Sequence, residues 1–151
     1  MNDETRLLGI DHGLKRIGVA LSDPLGIIAT PLTVLQATPK AEVLTRLAAL
    51  VEEHAISKIV VGLPTDSEGH IGPQARTVLR WARQLAGTVS VPIVLWDESY
   101  STADATATRR GKKHGRELDA VAAAVILQSY LEARRSTHEP GQPIQTFNDA
   151  P

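Results

Sequence analysis

The chain has 151 residues, an apolar fraction of 42%, a charged fraction of 22% and a formal net charge of -1, values of one globular domain large enough to bury a core. So even a charge balance excludes bulk polyanion binding, and any contact with nucleic acid has to come from a local patch. The absence of cysteine excludes disulfides and thiolate metal sites and fits a reducing cytoplasm, while two Trp, two Tyr and one Phe are too few for a base-stacking platform.

Residues 1–6 read as a flexible, polar N-terminus, unlike a signal peptide, and no apolar run approaches the ~20 residues of a membrane span. Leu7–Asp11 and Ile17–Ser22 are short apolar runs split by the turn HGLKR, where Gly13 supplies conformational freedom. A third extended piece, Ala29–Leu35, contains Pro31, which lacks a ladder donor and suits an edge strand. The period then changes. Val43, Leu44, Leu47, Leu50 and Val51 share one face of a helix, with Glu42, Arg46 and Glu52 opposite.

KIVVGLP follows as a buried strand stopped by Gly62 and Pro64, and the loop Thr65–Gly72 carries Asp66, Glu68 and His70, read as solvated polar residues. Ala75, Val78, Leu79, Ala82 and Leu85 mark a second helical stripe. VPIVLWDE is a fifth strand ending in Asp97 and Glu98, and a short helix is expected near Thr102–Arg110. LDAVAAAVILQSYLEARR is a long helix, basic at its C-terminal end as the helix dipole prefers. The tail from Ser136, with Pro140, Gly141 and Pro143, reads as disordered.

A three-strand meander continued by crossover units predicts a five-stranded mixed sheet with helices on both faces. This is the element order of the α/β ribonuclease-H-like fold, spanning residues 7–135. Three acids stand out against it. Asp11 ends the first strand, Glu98 ends the fifth and Asp119 opens the last helix, and ligands of open α/β sheets gather at strand carboxyl ends. Clustered carboxylates need a counter-charge, and hard oxygen donors without sulfur select Mg²⁺ or Mn²⁺. Two such ions ~3.5–4 Å apart can activate water and stabilise the leaving oxygen of a phosphodiester. The plainer alternatives are a helix cap for Asp119, an exposed strand end for Glu98, and ion pairs of Lys15 or Arg16 with Asp11 and Asp23.

The blocks GIDHGLKRIGVALSD, IVVGLP, WDESYST and LDAVAAAVILQSYLE resemble, in order, the signature blocks of the YqgF/RuvX family, from about Leu7 to Arg134. The resemblance implies a Holliday-junction-resolvase-like fold and a metal-dependent nuclease maturing the 5′ end of precursor 16S rRNA. It places Asp11, Glu98 and Asp119 on the family's acidic positions. The chain departs from the family at Ser99, where Arg usually follows the Asp-Glu pair, and in a shorter segment between Glu98 and Asp119.

Arg109, Arg110, Lys112, Lys113 and Arg116 lie between two of these acids, with Gly111 and Gly115 keeping the stretch pliable, and read as a phosphate-gripping loop. Lys15 and Arg16 can help on the same rim. His12 and His114 lie near it, although a lone histidine is more often packing than ligand. The expected partner is nucleic acid, precursor rRNA first and structured DNA second, with ribosomal particles as a further partner, no membrane, and a monomeric or homodimeric state. Two competing readings exist. GIDHG also resembles a phosphate strand of the actin and sugar-kinase group, but two such lobes need roughly 300 residues. A non-catalytic nucleic-acid or ribosome-associated module is the other.

Overall fold

Alternation of apolar side chains builds the central strands, and a change to helical periodicity builds the layers that cover them. A computed structural model describes residues 6–65, 70–97, 115–136 and 140–144. Its elements are β1 (Arg6–His12), β2 (Arg16–Ser22), β3 (Ala29–Gln36), α1 (Lys40–Glu53), β4 (Ile56–Leu63), α2 (Pro73–Ala86), β5 (Ile93–Asp97), α3 (Gly115–Ser136) and β6 (Gln142–Pro143). One sheet holds the strands in the order β3-β2-β1-β4-β5-β6. β1 runs antiparallel to β2 and parallel to β4, and β4 runs parallel to β5.

Side-chain parity divides the core into two layers. Leu8, Ile10, Ile17, Val19 and Val61 face α1 and α2, meeting Val43, Leu47, Leu50, Val78, Ala82 and Leu85. Leu7, Ala20, Val60, Val94 and Trp96 face the other way, onto Ala123, Leu127, Tyr130 and Leu131 of α3. The fully buried Tyr130 meets Trp96 edge-on, with ring centroids 5.7 Å apart, and its hydroxyl accepts from Lys58 Nζ at 3.1 Å. Gln128 ties the same helix to the loop before β3, accepting from the Ala29 amide at 2.8 Å and donating to the Ile27 carbonyl at 3.0 Å.

Two glycines let α3 lie directly on the sheet. A Cβ at Gly9 would stand 2.7 Å from Leu127 Cβ, and one at Gly18 would overlap the carbonyl oxygen of Asp119. Backbone approach of this closeness is a use of glycine within a strand that no other residue can fill.

The structure corrects the expected five strands to six among the described residues. Gln142 and Pro143 pair with Leu95 and Val94, and the adjoining Ile144 is 4% exposed within the layer under α1 and α2. The tail read as disordered from Ser136 therefore contributes both a strand and a core residue, and Ser136 itself closes α3. At the other end, Arg6, assigned to a flexible start, already pairs with Ile56. The helix expected near Thr102–Arg110 lies outside the described residues. Ile144→Ala is expected to lower stability by about 2 kcal/mol or more, as a buried Ile does when truncated. Urea unfolding checks this; an unchanged midpoint would show that the tail contributes nothing to the core.

Candidate active site at the sheet rim

Because β1, β4 and β5 run parallel, their carboxyl ends share one rim, with β4 between the other two. Asp11 stands at this end of β1, and Asp97 closes β5, accepting from Thr65 Oγ1 at 2.7 Å. That bond ties the loop after β4 to the end of β5.

Asp11 is 8% exposed and lies on the α3 side of the sheet, two residues beyond Gly9. Its cross-strand partner is Gly18, on which the backbone of Asp119 rests. Antiparallel partners lie only about 5 Å apart, so a main-chain contact brings Asp11 and Asp119 to the same patch. Parity also puts Arg16 on this face, two residues before Gly18, and its Nε donates to Asp119 Oδ2 at 2.6 Å. The side chains of the pair are 35% and 23% exposed.

The ion-pair alternative for Asp23 gives way to a local role. Its Oδ1 accepts from the amides of Ile27 at 2.7 Å and Ile28 at 3.0 Å, closing the loop between β2 and β3. These bonds, the one from Ile28 foremost, hold its carboxyl below the usual carboxylate range. Lys15 is exposed at the hairpin turn, where its carbonyl accepts from the Ala37 amide.

His12 points to the opposite side of the sheet. Its ring lies 4.6 Å from that of Trp81 on α2, and burial foremost, joined by the charge of Lys40 and opposed by a hydrogen bond with its own backbone, lowers its pKa. Desolvation disfavours the imidazolium. Trp81, 5% exposed, lies three residues after Val78 and four before Leu85, at the edge of the buried stripe of Ala75, Val78, Leu79, Ala82 and Leu85. A cleft of about 390 Å³ adjoins His12 at the start of α2.

Glu98, Arg109, Arg110, Lys112, Lys113 and His114 lie outside the described residues, as do Asp66 and Glu68. Arg116 falls within the first turn of α3. Among the described residues no group of three or more His, Cys, Asp or Glu is placed to hold a metal ion. No described helix is long and apolar enough to cross a membrane.

A family model described as RuvX, Holliday junction resolvase, matches residues 5–133. A Chloroflexus aurantiacus protein named "Putative pre-16S rRNA nuclease" is 42% identical over 141 residues, covering 90% of this chain and 92% of its own. One of the same name from Geobacillus kaustophilus is 43% identical over 137 residues, covering 86% and 99%. Among solved structures, Thermus thermophilus RuvC in complex with a Holliday junction substrate aligns with a TM-score of 0.60 at 17% identity, over 92% of this chain and 99% of that one. The fowlpox virus Holliday junction resolvase aligns with a TM-score of 0.53 at 11% identity, over 85% and 99%. At such identities the likeness is one of fold, and it is the ribonuclease-H-like fold that the element order predicts. With the family match spanning residues 5–133 and relatives above 40% identity along nearly the whole chain, this protein belongs to the RuvX family.

Proposed function

We propose that the protein is a metal-dependent nuclease that cleaves phosphodiester bonds in maturing the 5′ end of precursor 16S rRNA, in the cytoplasm. The observation that supports this reading is the backbone of Asp119 lying on Gly18, the cross-strand partner of Asp11, at the carboxyl ends of parallel strands. The names of the relatives supply the substrate.

The donor chemistry fits Mg²⁺ or Mn²⁺: two carboxylates on one face, no sulfur, and Glu98 one residue past the end of β5 as the third oxygen donor. When bound, such an ion supplies Lewis acidity toward a phosphoryl oxygen and lowers the pKa of a water. Asp11, Glu98 and Asp119 are the residues that would hold it. Asp11 is fixed by its strand, whereas Asp119 is oriented by the helix backbone on Gly18 and by Arg16. Lys15, Arg16 and the run Arg109, Arg110, Lys112, Lys113 and Arg116 grip the phosphates on either side, which gives affinity without base sequence.

Arg16 has two tasks that compete. While it holds Asp119, it neutralises a carboxylate that the metal needs. Arg16→Gln is therefore expected to bind Mn²⁺ severalfold more tightly by titration calorimetry, to lose about 1 kcal/mol of stability, and to lower the salt slope of RNA binding by about one. Unchanged Mn²⁺ affinity would mean that the pair is only structural.

Resolution of DNA junctions is the second reading, favoured by the description of the family and by the fold shared with RuvC. Incubation with precursor 16S rRNA and with four-way DNA junctions, each with and without Mn²⁺, separates the two. Mn²⁺-dependent trimming of the RNA with intact junctions is expected. Paired junction cuts with intact RNA would make it a resolvase, and binding without any cleavage would make it a non-catalytic module.

A further inference from the structure

We propose that the cleft beside His12 is a subsite for an unpaired nucleobase of the substrate strand, adjoining the phosphate held at Asp11; this rests on the nuclease reading above. The cleft, about 390 Å³, is lined by His12, Leu14, Pro73, Gln74, Thr77 and Val78. That volume falls in the range of sites that enclose small ligands.

Its chemistry selects a flat, uncharged, polar group. Among the described residues none of those lining the cleft is Lys or Arg, the side chains that hold a phosphate. Apolar wall comes from Leu14, Pro73 and Val78. Leu14 is 84% exposed at the tip of the hairpin, a large apolar side chain held in water beside the cleft. Such a side chain covers the face of a base, and the base in turn removes it from solvent. Gln74, exposed on the first turn of α2, carries a donor and an acceptor on one planar amide, the pattern that reads a base edge. Thr77 adds a hydroxyl that donates to the Pro73 carbonyl at 3.1 Å and accepts from Arg80 at 3.4 Å, which leaves one lone pair for a ligand N–H. The imidazole of His12 is fixed against Trp81 and contributes a polar ring to the wall.

Position supplies the rest. His12 directly follows Asp11, and successive strand side chains point to opposite faces. A nucleic-acid strand crossing the end of β1 therefore meets Asp11 with its phosphate on the α3 side. The adjoining base comes down on the α2 side, into the cleft.

The test is an abasic scan. A single-stranded RNA spanning the mapped cut is made as a series, each member lacking one base, and binding is read by fluorescence anisotropy with Ca²⁺, another oxygen-preferring ion, in place of Mn²⁺. For the wild type, removal of one base next to the cut is expected to weaken binding about tenfold, as loss of one stacked base does, while the other positions are tolerated. The double variant Leu14→Ala, Gln74→Ala, both exposed positions whose loss leaves the thermal midpoint unchanged, should bind intact RNA about tenfold more weakly. It should also be indifferent to that abasic position. A flat scan for the wild type, with the RNA still cut in Mn²⁺, would overturn the subsite and leave the nuclease reading standing. A dip that persists undiminished in the double variant would place the base elsewhere and overturn the cleft. Failure to cut RNA or DNA at all would remove the nuclease reading and the subsite together.

Discussion

Asp11→Asn should stop cleavage, by at least about 100-fold, while leaving the fold standing. The amide has the shape of the carboxylate but no charge to attract a cation, and the site loses a buried acid, 8% exposed at the end of β1. Stability should move little or rise in metal-free buffer. Asp11 shares its patch with Asp119, and removing one of two neighbouring negative charges relieves repulsion that offsets what the charge itself contributes. Thermal unfolding of wild type and variant, with and without Mn²⁺, is the decisive comparison. Wild type alone should be stabilised by the ion. If the variant unfolds earlier without metal and Mn²⁺ stabilises both proteins equally, Asp11 is a structural residue and the proposed site loses its centre.

Gly18→Ala should damage the protein out of proportion to one methyl group. The added Cβ would collide with the carbonyl of Asp119, and backbone cannot rotate away as a side chain can. The helix must lift or the strand must bend, so a loss of about 3 kcal/mol or more is expected, roughly 6–12 °C in thermal midpoint. Gly87→Ala is the matched control. Gly87 has a φ of -78°, and a Cβ there would find its nearest neighbour, the Gln84 carbonyl oxygen, at a comfortable 3.6 Å. That change should be neutral or stabilising by about 0.4–1 kcal/mol. Cleavage gives the second reading: whatever of Gly18→Ala remains folded should be impaired, because Asp119 has moved relative to Asp11. A Gly18→Ala protein as stable and active as wild type would show that the helix does not need this seat.

The difference between these two glycines also shows where sequence reading ran out. The strands and helices from β1 to β5 were legible because each carries a run or stripe long enough to show its period, and Pro31 marked β3 as an edge. Strand β6 carries no period, since two exposed residues, Gln142 and Pro143, are extended only because β5 offers them partners. A place for Asp11 and Asp119 on one rim is expected from strand ends and a helix start. The seat of the Asp119 backbone on Gly18, the strand partner of Asp11, is not legible from local pattern, although a glycine inside a strand often marks a close backbone approach. The bond from Arg16 to Asp119 spans 103 positions, beyond any local pattern.

The two borders of the sheet have a consequence for how the protein meets others. One border is β3, carrying Pro31 and a register shift where it passes Val19 and Ala20 of β2; the other is the two-residue β6, ending in Pro143. Proline withholds an amide from any strand laid alongside, an irregular register leaves no straight ladder to extend, and a two-residue strand gives little length to grip. Both margins are thus poor templates for a further strand. Among the described residues, a strand laid on either margin finds little to pair with, so the sheet is poorly suited to growing edge to edge into aggregates.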